Sequence, residues 1–220
     1  MNPLISVIMP VKNGERYIRE ALDSLRRQPF NLEIIVVDDG SSDNTAAIAR
    51  EYGCKVLTHP ESKGPVIAKN TGLEAVMGDF ILFMDHDDRM REGTLQILYS
   101  TLVDNPDVSA VEAKVQDFPS PECDLSRLVL RPEPYYGLFT AAILIRKSAF
   151  DIIGPFPTNL VAGEMIVWND SMERNNLIIK KIDWVSTDRR VHENNFGRQR
   201  RNDEFKDYAA VLRARLRRSQ

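Results

Sequence analysis

The sequence predicts an α/β fold, Rossmann-like, with a mostly parallel sheet flanked by helices, and three observations predict it. Short β-rich apolar runs alternate with helical patterns throughout the first half, as in a parallel sheet covered by its crossover helices. One run, Ile34 to Val37, is apolar without a break, which suits a strand buried on both faces. Acidic residues gather directly after the apolar runs, and in open α/β sheets ligands bind beyond the carboxyl ends of the strands.

Ile5 to Pro10 reads as the first strand. A helix follows with Tyr17, Ile18, Ala21, Leu22 and Leu25 on one face. Glu33 to Asp38 is the second strand, and Ser41, Ser42 and Asp43 offer capping oxygens to a helix over Thr45 to Tyr52. Lys55 to Thr58 reads as a strand, Val66 to Met77 as a helix, and Phe80 to Met84 as a fourth strand that ends in acid. Leu95, Leu98, Tyr99 and Leu102 mark a helix that stops before Asn105 and Pro106, and Val108 to Ala113 is a further strand. Residues 119 to 134 hold four prolines and read as an irregular excursion. Beyond it come a strand over Ala141 to Ile145, a short helix from Ser148, a turn at Gly154 and Pro155, and a final mixed region.

At 220 residues and 43% hydrophobic content, the chain is long enough for one substantial core with a C-terminal appendage. A formal net charge of -3 gives no reason to expect nucleic acid as a partner. Charge is unevenly placed: the acidic clusters lie early, whereas Arg213, Arg215, Arg217 and Arg218 make the C-terminus basic, a feature suited to peripheral contact with an anionic membrane, to a phosphate-bearing ligand or a partner protein, or simply to a solvated tail. Two cysteines exclude a disulfide scaffold and a cysteine-rich zinc site. With no basic leader before the first apolar run and no apolar stretch of membrane-spanning length, the expectation is a cytoplasmic protein, at most resting on a membrane.

Two acidic turns carry the chemistry. Asp38 and Asp39, followed by Gly40, Ser41 and Ser42, place carboxylates where they can accept from the N-H of a uracil-like base or from ribose hydroxyls; helix capping is the plainer role for both. Asp85, His86, Asp87 and Asp88 end the fourth strand. Residues i and i+2 of an extended segment point the same way, so Asp85 and Asp87 can share a ligand. Three crowded carboxylates repel one another unless a cation lies among them, and hard oxygen donors suit Mg²⁺ or Mn²⁺.

The segments PVKNGERYIREALDSL, EIIVVDDGSSDNT and KGPVIAKNTGLEAVMGDFILFMDHDD, in that order, resemble the motif set of family 2 glycosyltransferases, and a weaker likeness continues from TAAILIRKSAFDIIGPF to RRVHENN. The resemblance implies a GT-A fold with a small C-terminal acceptor-side region. Residues 1–114 form its nucleotide-sugar-binding half, 115–197 the acceptor-side half of the same domain, and 198–220 a basic helix or tail. It implies that Pro10, Asp38, Asp39, Lys69 and Asp87 line the pocket of a nucleotide-diphosphate sugar, a UDP-sugar foremost. Asp85, Asp87 and Asp88, joined by His192, would hold Mn²⁺ or Mg²⁺. The acceptor stays open among a glycan, a lipid-linked molecule and a peptide.

Family members carry a Glu-Asp pair at the start of a late helix, whose Asp deprotonates the acceptor. Here the pair reads Glu164-Met165, so the base is Glu164, or Asp170, or missing. The last possibility describes a catalytically weakened relative that binds a nucleotide sugar, or only a partner, without transfer. Arg190, Val191, His192, Glu193 and Asn194 resemble the family's Arg-x-His-x-x-Asn stretch. A signalling receiver domain needs its acid pair on the first strand, and a sugar nucleotidyltransferase needs a Gly-rich loop where Lys12-Asn13-Gly14-Glu15 stands. No P-loop, dinucleotide or nucleophile-elbow motif is present.

Overall fold

A computed structural model describes residues 3–124, 126, 129–137, 140–159, 163–193, 195, 209 and 213. Apart from Ala209 and Arg213, the basic segment 198–220 lies outside these residues.

The strands are β1 (Leu4–Val11), β2 (Asn31–Asp38), β3 (Lys55–Thr58), β4 (Phe80–Phe83), β5 (Arg89–Met90), β6 (Val108–Pro119), β7 (Ile143–Arg146) and β8 (Ile178–Val191). The helices are α1 (Ile18–Arg26), α2 (Thr45–Glu51), α3 (Pro65–Leu73), α4 (Thr94–Asp104), α5 (Lys147–Ile153) and α6 (Glu164–Arg174). The strands form one sheet in the order β3-β2-β1-β4-β7-β6-β8-β5. β1 runs parallel to β2 and β4, and β2 runs parallel to β3. β7 is antiparallel to both β4 and β6, while β8 is parallel to β6.

The alternation of side chains explains the apolar runs. Ile5, Val7, Met9 and Val11 of β1 pack with α1, α2 and α4 on one face. Ile8, Ile35, Val37, Ile81 and Phe83 pack with α3, α5 and α6 on the other. Both faces of the central strands are therefore buried, and each fully buried Leu or Ile contributes about 1.5–3 kcal/mol. α3 lies close to β1: a Cβ on Gly72 would stand 2.4 Å from Ile8 Cγ2, so no larger residue fits. Asn70 anchors the other side of α3, bonding Phe156 O at 2.8 Å and accepting from Phe156 N at 2.9 Å.

Two differences from the sequence expectation concern the second half. β6 continues to Pro119, past Ala113 and across position 114 into the proline-rich stretch. The mixed C-terminal region contains a fourteen-residue strand, β8. The sheet order turns back between β1 and β4, because β2 and β3 lie on one side of β1 and β4 on the other. That switch point lies at the carboxyl ends of β1, β2 and β4, where open α/β sheets bind their ligands.

Candidate active site

Pro10 sits near the end of β1, buried and level with Val37 of β2. The loop after β1 is laced to the loop after β2. Asn13 N donates to Ser41 Oγ (2.9 Å), Ser42 N to Asn13 Oδ1 (2.9 Å), and Gly14 N to Thr45 Oγ1 (2.8 Å). Ser41 and Ser42 thus serve the neighbouring loop, while Asp43 Oδ1 takes the Thr45 amide at 3.0 Å at the start of α2. Asp38 is buried and accepts from Ser41 N at 3.0 Å, which is a turn-forming role.

Asp39 is also buried, and four donors converge on it. His59 Nδ1 and Lys63 N reach Oδ1 at 2.7 and 2.8 Å; Ser62 Oγ and Gly64 N reach Oδ2 at 2.7 and 2.8 Å. Burial alone would raise this carboxyl, but the four hydrogen bonds outweigh it and hold the pKa below the ordinary value.

The acidic turn after β4 is the densest knot of charge. Asp87 Oδ2 meets His192 Nε2 at 2.8 Å and Asn195 Nδ2 at 3.2 Å. Asp88 Oδ1 accepts from Arg190 N at 2.9 Å. Burial, and then the charges of Asp87 and Asp85, push the Asp88 carboxyl well above its usual range. Asp85 is also raised by burial, although Lys69 opposes the shift. Burial works against ionisation of Asp87 too, yet the hydrogen bond from His192 brings it below the ordinary value.

Arg190, the first residue of the Arg-x-His-x-x-Asn stretch, is turned inward. Its Nε donates to Asp87 O at 2.9 Å, its terminal nitrogen binds Glu20, and its guanidinium lies between the rings of Tyr17 (4.7 Å) and Phe118 (4.5 Å). It shapes the acidic turn from behind. Tyr17 also stands 5.3 Å from the His192 ring.

Glu164 opens α6 after Gly163, whose positive φ of 82° is easy for glycine. Its carboxylate lies 2.5 Å from Lys69 Nζ of α3, and both side chains are buried. Desolvation disfavours both charges, but each outweighs that cost for its partner: Lys69 is raised, by Glu164 and then Asp85, and Glu164 is lowered. Met165 points into the apolar cluster with Trp168 and Met172. Asp170 is six residues beyond Glu164, about 9 Å along the helix axis, and pairs with Arg174 at 3.1 Å. The structure therefore brings Glu164, Lys69 and Asp85 into one electrostatic group and leaves Asp170 outside it.

Comparisons with known proteins bear on the family and the fold. Residues 6–156 match the sequence profile of Glycosyl transferase family 2. The chain belongs to that family. A pre-mycofactocin glycosyltransferase of Mycobacterium tuberculosis is 33% identical over 178 residues, which is 73% of this family-2 chain and 37% of the relative. Staphylococcus aureus TarS 1-349, solved with UDP-GlcNAc, superposes with a TM-score of 0.70 at 26% identity over 87% of this chain and 60% of that one. A mannosyltransferase from Pyrobaculum calidifontis, solved with GDP-Man and Mn²⁺, gives 0.71 at 20% identity over 91% of this chain and 60% of that one, a likeness of fold. The GT-A architecture is thereby shown. The family-2 chain spans little more than a third of the length of that mycobacterial relative.

Among the described residues, no three His, Cys, Asp or Glu side chains are arranged as a metal site. The acidic turn nevertheless suits a divalent cation in charge and donor type, because Asp85, Asp87 and Asp88 are hard oxygen donors and two of them carry pKa values raised by burial and then by the neighbouring carboxylates. Three contributors to the site are easily passed over in the sequence. Asn195, three residues after His192, makes the contact to Asp87, whereas the residue counted into the motif was Asn194; spacing from Arg190 gives the correct one. His59 and Ser62 carry no motif, and only folding brings them to Asp39.

Proposed function

We infer that this chain is a metal-dependent glycosyltransferase that moves a sugar from a nucleoside diphosphate, UDP foremost, to an acceptor hydroxyl by inverting direct displacement. What supports the reading is that parallel strands β2 and β4 end in the Asp39 hydrogen-bond cluster and in the acidic turn Asp85–Asp88 with His192 and Asn195, and that the Lys69–Glu164 pair shares its charge with Asp85, in a chain of family 2. TarS, solved with UDP and with UDP-GlcNAc, supports the choice of uridine.

Asp85, Asp87, Asp88 and His192 would hold Mn²⁺ or Mg²⁺, which when bound neutralises charge on the departing diphosphate. Pro10 and Asp39 border the base, with Asp38 fixing the turn that presents Asp39. Glu164 takes the proton of the acceptor hydroxyl as that oxygen bonds the anomeric carbon. The bond from the anomeric carbon to the diphosphate oxygen breaks, and its electron pair leaves with the diphosphate. Lys69 holds Glu164 in its ionised form. Asp170 supports α6 through Arg174.

Met165, buried where family members place an acid, favours a second reading: a relative that binds the donor and transfers slowly or not at all. Glu164→Gln separates the two. In a transferase using Glu164, the variant keeps nucleotide affinity and loses a hundredfold or more in turnover, a magnitude on the order of general-base contributions. Nucleotide binding by the wild type without donor turnover, across glycan, lipid-linked and peptide acceptors and with water, establishes the binding protein instead.

A further inference from the structure

Asp39 has no acceptor position to spare. An ionised carboxylate offers about four lone-pair sites, and the four protein donors fill them. A nucleotide base that binds here has to replace one donor, and the four differ in how easily they leave. The His59 ring is held at both nitrogens, because its Nε2 meets Thr71 Oγ1 of α3 at 3.0 Å. The Lys63 and Gly64 amides belong to a backbone pressed against the β2 turn, where a Cβ on Gly40 would come within 2.9 Å of Ser62 N. Ser62 Oγ differs. It belongs to an exposed residue and leaves Oδ2 by a single χ1 rotation, with no movement of the loop.

We propose that the Ser62 hydroxyl is a place-holder on Asp39 Oδ2 for a ring N-H of the donor's base, and that His59, clamped by Thr71, is the positioning residue that fixes the carboxylate for this exchange. The proposal rests on the nucleotide-binding reading above and adds how Asp39 selects the base. A uracil ring presents an N-H to Oδ2 and substitutes for the hydroxyl one bond for one. Cytosine presents a lone pair at the same ring position, which Oδ2 repels.

Calorimetric titration of UDP and CDP, in Mn²⁺, against wild type, Ser62→Ala, His59→Leu and His59→Asn tests this. Ser62→Ala leaves one Oδ2 site open in the free protein, so UDP tightens about tenfold while CDP does not change. His59→Leu weakens UDP about tenfold. His59→Asn, whose amide stands where the ring Nδ1 stood, recovers most of that loss, which a general packing defect would not do. If UDP binds wild type but is unchanged or weaker in Ser62→Ala, or if CDP gains equally, the place-holder is refuted and the nucleotide reading survives. If wild type binds neither UDP nor CDP, nor GDP or TDP in the same titration, both fall together.

Discussion

Lys69 of α3 and Glu164 of α6 lie 95 residues apart in sequence and 2.5 Å apart in space. The ion pair ties α3 to the start of α6, and Asp85 adds its charge to the same group. Removing one partner leaves the other charged and buried, so Lys69→Met is expected to lower stability by about 3–5 kcal/mol, read as a fall in the urea midpoint. Lys69→Met combined with Glu164→Leu should recover much of that stability while staying inactive.

Asp88 shows the opposite balance between stability and use. Its carboxylate is crowded by Asp87 and Asp85 and is penalised by burial. Asp88→Asn removes the repulsion and keeps an oxygen for the Arg190 amide. Thermal melts without nucleotide or metal should show the variant as stable as wild type or more so. Its metal-dependent UDP binding should be lost.

Asp39 gives a pH signature. Its folded pKa lies below the unfolded one, so its contribution to stability is complete above the unfolded value, about 4, and is lost as pH falls through the folded value. Asp39→Asn places an amide donor against donors and should cost about 1–3 kcal/mol at pH 7. The stability gap between wild type and variant, measured by urea melts, should narrow as the pH is lowered from 5 to 3.

Met165 is a core residue. Met165→Leu keeps volume and polarity and should cost less than about 1.5 kcal/mol with transfer unchanged. Met165→Asp restores the family's acid but places a charge among Trp168, Phe150 and Met172, and should destabilise without raising the transfer rate.

The first half of the fold was legible because its strands are buried on both faces and its helices follow regular spacing: Lys55–Thr58 coincides with the expected strand, and the acidic ends of β2 and β4 lie where the sheet opens. β8 was not legible. Its charges are matched across β6, Lys181 with Glu112 at 3.2 Å, Asp183 with Lys114 at 2.5 Å and Arg189 with Asp117 at 3.3 Å, so the strand is held by partners distant in sequence and its short apolar stretches are broken by charges. The same reason hid His59 and Ser62, whose importance arises only where the loop after β3 closes over Asp39. Glu164 was legible as a helix-opening acid, but its tie to Lys69 was not, since nothing local to either residue specifies the other.

The most direct measurement is isothermal titration of UDP, GDP, CDP and TDP into the protein, each with Mn²⁺, with Mg²⁺ and with EDTA. A transferase built on this acidic turn binds UDP in the presence of a divalent ion and loses that binding in EDTA. Absence of binding for all four nucleotides with either metal, or UDP binding indifferent to EDTA, would contradict the assignment of Asp85, Asp87 and Asp88 to a metal-held diphosphate.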